Sequence, residues 1–459
     1  SNSSLSTNTI RCFARNDRQI FVGTFDGLYV IDIASGNLTL HSRADKGRGT
    51  LSHFSIYSLC IDRSGGVWVG TYSGGADYFS RYNNRFTLHE PTDSRGVISG
   101  IYGPMADGGS GPVYVATEGG GLMEYDMTDG RSANYLYDTR NVPSYSHNIV
   151  KSVLQESDTI WCGTSQGTVF AFDRKRRQFS LKYRLPNAAS VYSLIRASDG
   201  CMWVATSKPS MSLVKISPDG TMKDRFEVAD TLWRPGSSRC LFELRPGVML
   251  IGSRNHGLYK YDEKSRKCVI YSIYGDGSEH LPSNYVTSIL RDSKGRVWVS
   301  TFGGGLSLYD EAKGIVKTVN TASGLRDDDI CVAVEDRNGL IWLSATDCIM
   351  RYNPADGSVQ NYIVGNDIGA QAFTPHCGRL MRNGDICFSV SKGFVTFSPS
   401  NLLMNTYRPP VVFTELEVNN DKIVPSEGEI LTVELDNTET VELAYNQNNI
   451  TISYAALNF

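Results

Sequence analysis

The chain has 459 residues, a formal net charge of −3 and 41% hydrophobic residues, enough to build sizeable cores. Near-balanced charge without a basic stripe excludes the electrostatic footprint of a nucleic-acid binder, and no run reaches the ~18 consecutive apolar residues of a membrane span. The ten cysteines include no Cys-x-x-Cys and no Cys/His cluster of zinc-like spacing, so we expect no metal or other cofactor and read them as buried free thiols, with pairing between neighbouring elements left open. No leader is visible at Ser1-Asn2-Ser3, and targeting information is expected to lie outside this sequence.

In chain order, one phrase recurs nine times: a β-branched or aromatic strand, a small residue, a Thr or Ser, a turn, and a second apolar strand. The copies are Ile20-Phe-Val-Gly-Thr24, Val67-Trp-Val-Gly-Thr71, Val113-Tyr-Val-Ala-Thr117, Ile160-Trp-Cys-Gly-Thr164 and Met202-Trp-Val-Ala-Thr206. Met249-Leu-Ile-Gly-Ser253, Val297-Trp-Val-Ser-Thr301, Ile341-Trp-Leu-Ser-Ala345 and Ile386-Cys-Phe-Ser-Val390 follow. Their second residues lie 42–48 positions apart, close to the ~40–45 residues of a four-stranded propeller blade. Each period divides into short apolar runs separated by Gly/Asn/Asp/Ser turns, with no sustained helical periodicity. The fold class is therefore all-β: a β-propeller of four-stranded blades.

A blade cannot bury both faces alone, so Trp68, Trp161, Trp203, Trp298 and Trp342 are expected in the layers between blades. The first strand of each period carries a small residue at its second or third position: Cys12, Ser58, Ser152, Ser193, Cys240, Ser288, Val332 and Cys377, with Ser99 in the third period. That strand is expected to line the central channel, where bulk is excluded.

Nine blades exceed the usual four to eight of one propeller. The last period lacks a fourth strand after Gly393-Phe-Val-Thr-Phe397, and an exposed edge would remain unless an earlier segment supplied it. If residues 85–89 do so, the periods anchored at 114 through 387 form one seven-bladed ring. The expected domains are then residues 1–84, two blades of a preceding propeller; 85–405, the seven-bladed propeller; and 406–459, the start of an Ig-like β-sandwich. The rival is a single larger ring closed through the N-terminal segment. The sandwich reading rests on short alternating runs at 411–418, 431–435, 440–443 and 449–454.

These residues resemble the periplasmic sensor region of the hybrid two-component regulators of Bacteroidetes. The propeller signature is clearest at 67–79, 113–126 and 297–310. The sandwich signature runs from Pro409-Pro410-Val411-Val412-Phe413-Thr414 through Val418-Asn419-Asn420, and then over 443–459. The resemblance implies two propellers in tandem, a tyrosine-rich Ig-like domain, then a membrane helix and a histidine kinase. It implies a periplasmic ectodomain that is itself not inserted in the membrane. It further implies an oligosaccharide signal and a homodimeric receptor. No kinase motif is present in these 459 residues, so this part is expected to be non-enzymatic.

Strand order places the second-to-third loops and the blade-to-blade loops on one face, opposite the first-to-second hairpins. The hairpins, such as Asp62-Arg-Ser-Gly-Gly66, read as plain turn formers. The loop face is chemically varied, and its candidate ligand contacts are Tyr72, Glu118, Gln166, Lys208, Trp233, Arg234, Arg254, His256, Phe302, Asp347 and Lys392. Sugars need polar groups for hydroxyls and aromatic faces for stacking, which this set offers. Two other classes are open: a propeller lyase acting on a cyclic ester, using His256 with Glu118, and a protein-interaction propeller.

Overall fold

The structure, a computed structural model, describes residues 9–42, 51–63, 65–79, 86–92, 102–107, 111–137, 148–185, 190–207, 213–218, 222–225, 238–364, 369, 371–402, 411–427 and 429–456. Among these, regular structure is β-strand with a few short 3-10 turns. The chain divides into two compact units, residues 84–402 and residues 1–83 with 403–459.

Residues 84–402 form seven four-stranded antiparallel sheets. Six are consecutive in sequence: blade 1 (102–135), blade 2 (150–184), blade 3 (191–225), blade 4 (238–271), blade 5 (286–319) and blade 6 (332–363). Blade 7 takes three strands from 373–397, and its outer strand is Thr87–His89, which pairs with Gly393–Phe397 through Phe394↔His89 and Val395↔Leu88. First strands of successive blades lie side by side, and that of blade 7, Phe373–Leu380, lies beside that of blade 1, Tyr102–Asp107, so the ring is closed. The chain is thus a β-propeller.

Seven hydrophobic clusters occupy this unit, one at each interface between adjacent blades. Trp203, Trp298 and Trp342 are fully buried in them. Trp68 and Trp161 are only half-buried, contrary to expectation. The Trp161 ring shares its interface with the guanidinium of Arg196, 5.2 Å from its centroid, which keeps one edge wet.

The recurring phrase has a physical reading at each position. Its Gly permits blade contact: a Cβ on Gly252 would collide with Cys240 Sγ and lie 2.6 Å from Val286 Cγ1 of the next blade. Its Thr pins the following turn, with Thr117 Oγ1 donating to Gly121 O at 2.9 Å and Thr301 Oγ1 to Gly305 O at 3.1 Å. In three periods its Trp is anchored by an Asp six residues earlier: Asp62 for Trp68, Asp292 for Trp298 and Asp336 for Trp342. Trp298 Nε1 donates to Asp292 Oδ2 and Trp342 Nε1 to Asp336 Oδ2, both at 2.8 Å, while the same carboxylates accept hairpin amides such as Arg296 N and Leu340 N. The hairpins are therefore more than turn formers. Burial alone would raise the Asp292 carboxyl, but the Trp298 indole and the Arg296 backbone and guanidinium outweigh it and hold its pKa low.

The small-residue register is met at Ser152, whose Oγ donates to Val191 O of the next blade at 3.0 Å, and at Ser288, whose Oγ accepts Ala333 N at 3.1 Å. Ser99 lies outside the described residues. Gly103 takes its place, its α-carbon so close to Ala116 that an added Cβ would lie 3.1 Å from the Ala116 Cβ.

In the other unit, Ile10–Arg15, Gln19–Thr24, Gly27–Asp32 and Leu38–Ser42 make a four-stranded sheet, and Ile56–Ile61, Val67–Thr71 and Ala76–Phe79 a three-stranded one. Phe21, Leu28, Ile56, Val67 and Val69 form their shared core. Near the C-terminus, Val411–Val418 pairs with Asp421–Lys422 and Ile450–Ala456. The runs at 431–435 and 440–443 are not strands. Their Leu431, Leu435, Val441 and Leu443 pack on Leu416 and Val418 as a covering layer, burying side chains without a backbone ladder. All ten cysteines are free thiols; six are buried as expected, whereas Cys12, Cys240 and Cys268 are half-buried and Cys60 is exposed.

Candidate functional site

The loop face is shaped by a device that the sequence reading passed over. The register between first and second strands slips once near its start: between Val150 and Ser152, Val191 and Ser193, Ser238 and Cys240, and Val286 and Ser288. Each slip leaves one residue unpaired, namely Lys151, Tyr192, Arg239 and Thr287. β-bulges re-aim side chains in this way and recur beside functional sites. Blade 7 carries the largest irregularity, its pairing jumping from Phe373↔Val390 to Gly378↔Phe388. His376 lies within it at φ 67°, a left-handed conformation uncommon for a non-glycine residue.

These residues meet across the axis. The Arg239 guanidinium of blade 4 lies 3.7 Å from the centroid of the Tyr192 ring of blade 3. It also acts electrostatically on His376 of blade 7 and on Tyr285, which precedes the first strand of blade 5. His376 N donates to Cys331 O at 3.1 Å, tying the bulge to blade 6. Burial, reinforced by Arg239 and opposed by the Thr287 backbone, lowers the pKa of His376 to about 3, so its imidazole is neutral near pH 7. Lys151 of blade 2 is paired with Glu118. The Nε of Arg239 and both ring nitrogens of His376 are buried with no well-formed hydrogen bond among the described residues.

Of the expected contacts, the structure brings some to this channel mouth. Glu118 is there through Lys151. Arg254 extends its guanidinium 5.8 Å from the centroid of Tyr285, and Tyr285 lies 5.7 Å from Phe302, whose ring is 37% exposed. Others stand in separate loops of the same face. Gln166 holds its turn, its amide bonded to Thr164 Oγ1 at 3.3 Å; His256 N is bonded to Ser253 Oγ at 2.8 Å. Asp347 lies 3.9 Å from Arg326, and Lys392 N donates to Gln371 Oε1. Lys208, Trp233 and Arg234 lie outside the described residues. Tyr72 belongs to the other unit, where it stacks on Tyr57 at 5.6 Å; the Arg11 guanidinium lies 4.4 Å from the Tyr57 centroid and 4.8 Å from that of Phe25. Arg11 and Tyr57 occupy the same bulge position as Lys151 and Arg239.

Lys151, Tyr192, Arg239, Tyr285 and His376 escaped the sequence reading because it took the inner strand as uniformly small. A signal was present: Arg11, Tyr57, Lys151, Tyr192 and Arg239 each immediately precede the small residue of the register. Grooves also lie elsewhere on the propeller. One of about 390 Å³ sits between blades 2 and 3, lined by Glu156, Trp161, Lys182, Arg196 and Gly200 near the hairpin end. Its two central charges pair with each other, Arg196 Nε and Nη2 donating to Glu156 at 2.8 and 2.9 Å.

A family model described as the two-component regulator propeller matches residues 52–73, 184–208 and 280–303, each taking in the first two strands of one period. The chain is 22% identical over 404 residues, 84% of its length, to Histidine kinase P4 of Formosa agariphila, and spans only 29% of that relative. It is similar to the solved extracellular domain of a hybrid two component system from B. thetaiotaomicron, with a TM-score of 0.70 and 22% identity, over 99% of this chain and 60% of that one. A solved streptogramin B lyase is also similar, with a TM-score of 0.53 and 14% identity over 69% of this chain and 99% of that one, a likeness of fold alone. No helix among the described residues is long and apolar enough to cross a membrane. Three of its periods thus match the two-component regulator propeller repeat, in line with the resemblance read from its sequence to the sensor regions of hybrid two-component regulators.

Proposed function

We propose that this chain is the ligand-recognising part of an extracytoplasmic, periplasmic sensor, the ectodomain of a hybrid histidine kinase. Its signal is a glycan-derived oligosaccharide, bound at the loop face of the seven-bladed ring. In this reading residues 1–84 end a preceding propeller, and residues 406–459 begin an Ig-like module that passes the signal toward the membrane. The full receptor works as a homodimer, and this part performs no catalysis. The observation that carries the reading is the convergence of residues from blades 2, 3, 4 and 7 on one channel mouth, with aromatic faces beside buried nitrogens of Arg239 and His376 that make no well-formed hydrogen bond among the described residues. Such groups cost free energy in the empty molecule and regain it when a ligand pairs with them. The lyase alternative loses support from the commitment of Glu118 to Lys151, which leaves its carboxylate engaged.

A ligand can shift a receptor only by its differential affinity for two states. Titration calorimetry of the chain against a panel of oligosaccharides from plant and host glycans tests the proposal. Saturable heat with one class of sugar is expected. Silence across the panel, with the chain folded by its melting profile, removes the glycan reading.

A further inference from the structure

We propose that the channel mouth of residues 84–402 is an oxyanion site, in which Arg239, held on Tyr192 and flanked by His376, takes one carboxylate or sulfate group of the ligand. The inference rests on the reading of this face as the binding face and names the chemistry of what it binds.

Among the described residues, Arg239 makes no ion pair, although its Nε is buried. A cation whose Nε is shut off from water and which has no counter-charge is costly, and an anion that fits its planar fork removes the cost. The Tyr192 ring at 3.7 Å fixes the plane of that fork. Across the axis, His376 holds both ring nitrogens without a well-formed partner at a strained φ of 67°. The neutral imidazole adds no charge to the site and, turned from the Thr287 backbone, donates its one N–H to an oxyanion.

The remaining charges limit the ligand. Lys151 is neutralised by Glu118, so Arg239 is the one uncompensated cation among these inner residues. Asp327 and Asp329, on the loop before blade 6, act on Cys331 from the same face, and Asp329 is raised by burial and by its acidic neighbours Asp327 and Asp328. They repel a densely charged polymer. Arg254 beside Tyr285 adds a positive rim. The arrangement suits a sugar carrying a single carboxylate or sulfate.

Calorimetry on the whole chain tests this with inorganic sulfate, a uronic-acid disaccharide, a mono-sulfated disaccharide and their neutral counterpart. The acidic sugars are expected to bind at least tenfold more tightly than the neutral one, the stronger of the two naming the group. Arg239→Gln is expected to erase that preference, a loss of roughly 10- to 100-fold. Glu118→Gln, at a half-exposed position that leaves the core untouched, frees the Lys151 charge and is expected to tighten the acidic sugars several-fold. Equal affinity for acidic and neutral sugars, or a preference unmoved by both variants, overturns the inference. Binding of the neutral sugar alone leaves the sensor reading standing and removes the oxyanion site. Binding of sulfate and the acidic sugars, lost in Arg239→Gln, with no response to any longer glycan, does the reverse.

Discussion

At the scale of single residues, three periods of the repeat are held by a carboxylate that its consensus phrase does not contain. Asp292 and Asp336 each receive an indole N–H and two or more hairpin amides, joining the Trp that fills the blade interface to the turn that shapes the blade's end. Asp292→Asn is expected to cost about 1.5–3 kcal/mol, the range for hydrogen bonds to a charged group, measured by urea unfolding at pH 7. The acid limb gives the sign. The folded-state pKa of Asp292 is lowered, so its stabilisation is present above the unfolded carboxyl pKa and is lost as pH falls through the folded value. The Asn variant should therefore lose less stability than the parent between pH 5 and pH 3, approximately the window of that titration. An acid limb as steep as the parent's contradicts the role given to this carboxylate.

At the scale of elements, closure depends on three residues, Thr87–His89, that complete blade 7. His89 stacks on Phe394 with centroids 4.8 Å apart, and its Nε2 lies 2.8 Å from Thr396 Oγ1. Burial lowers its pKa to about 4 from an ordinary 6.5. The unfolded chain therefore binds the proton first. The stability due to neutral His89 is full above pH 6.5 and falls as pH drops toward 4, by roughly 3 kcal/mol in all. His89→Gln keeps a polar partner for Thr396 and does not titrate. It should flatten the stability curve between pH 6.5 and 4; an unchanged slope there would show that closure is insensitive to this ring. The need for such a strand was legible in the sequence, because the three strands of the last period, ending at Phe397, leave an edge to be covered. The C-terminal runs were less so: alternation at 431–435 shows that alternate side chains are buried, not whether the backbone finds a partner. The bulges were missed for a related reason. Spacing reveals which residue abuts the next blade, as at Ser152, but a slip in register changes direction without changing composition, so Lys151 and Arg239 read as ordinary polar positions of a strand.

At the scale of the whole molecule, seven sheets with seven interfacial cores leave the axis as the place where distant parts of the sequence meet. The candidate ligand residues first drawn from the loops, such as Gln166, Asp347 and Lys392, sit on separate turns, whereas the bulged inner strands converge. A scaffold of this kind delegates recognition to positions the repeat does not specify, which is why architecture is plain in the sequence and chemistry is not. The most direct test of the account is amide hydrogen exchange on the chain with and without an oligosaccharide that gives heat in calorimetry. The account predicts slower exchange on binding at the starts of the inner strands, residues 150–152, 191–193, 238–240 and 373–378. Protection confined to the groove lined by Glu156, Trp161 and Arg196, with those four segments unchanged, would contradict it.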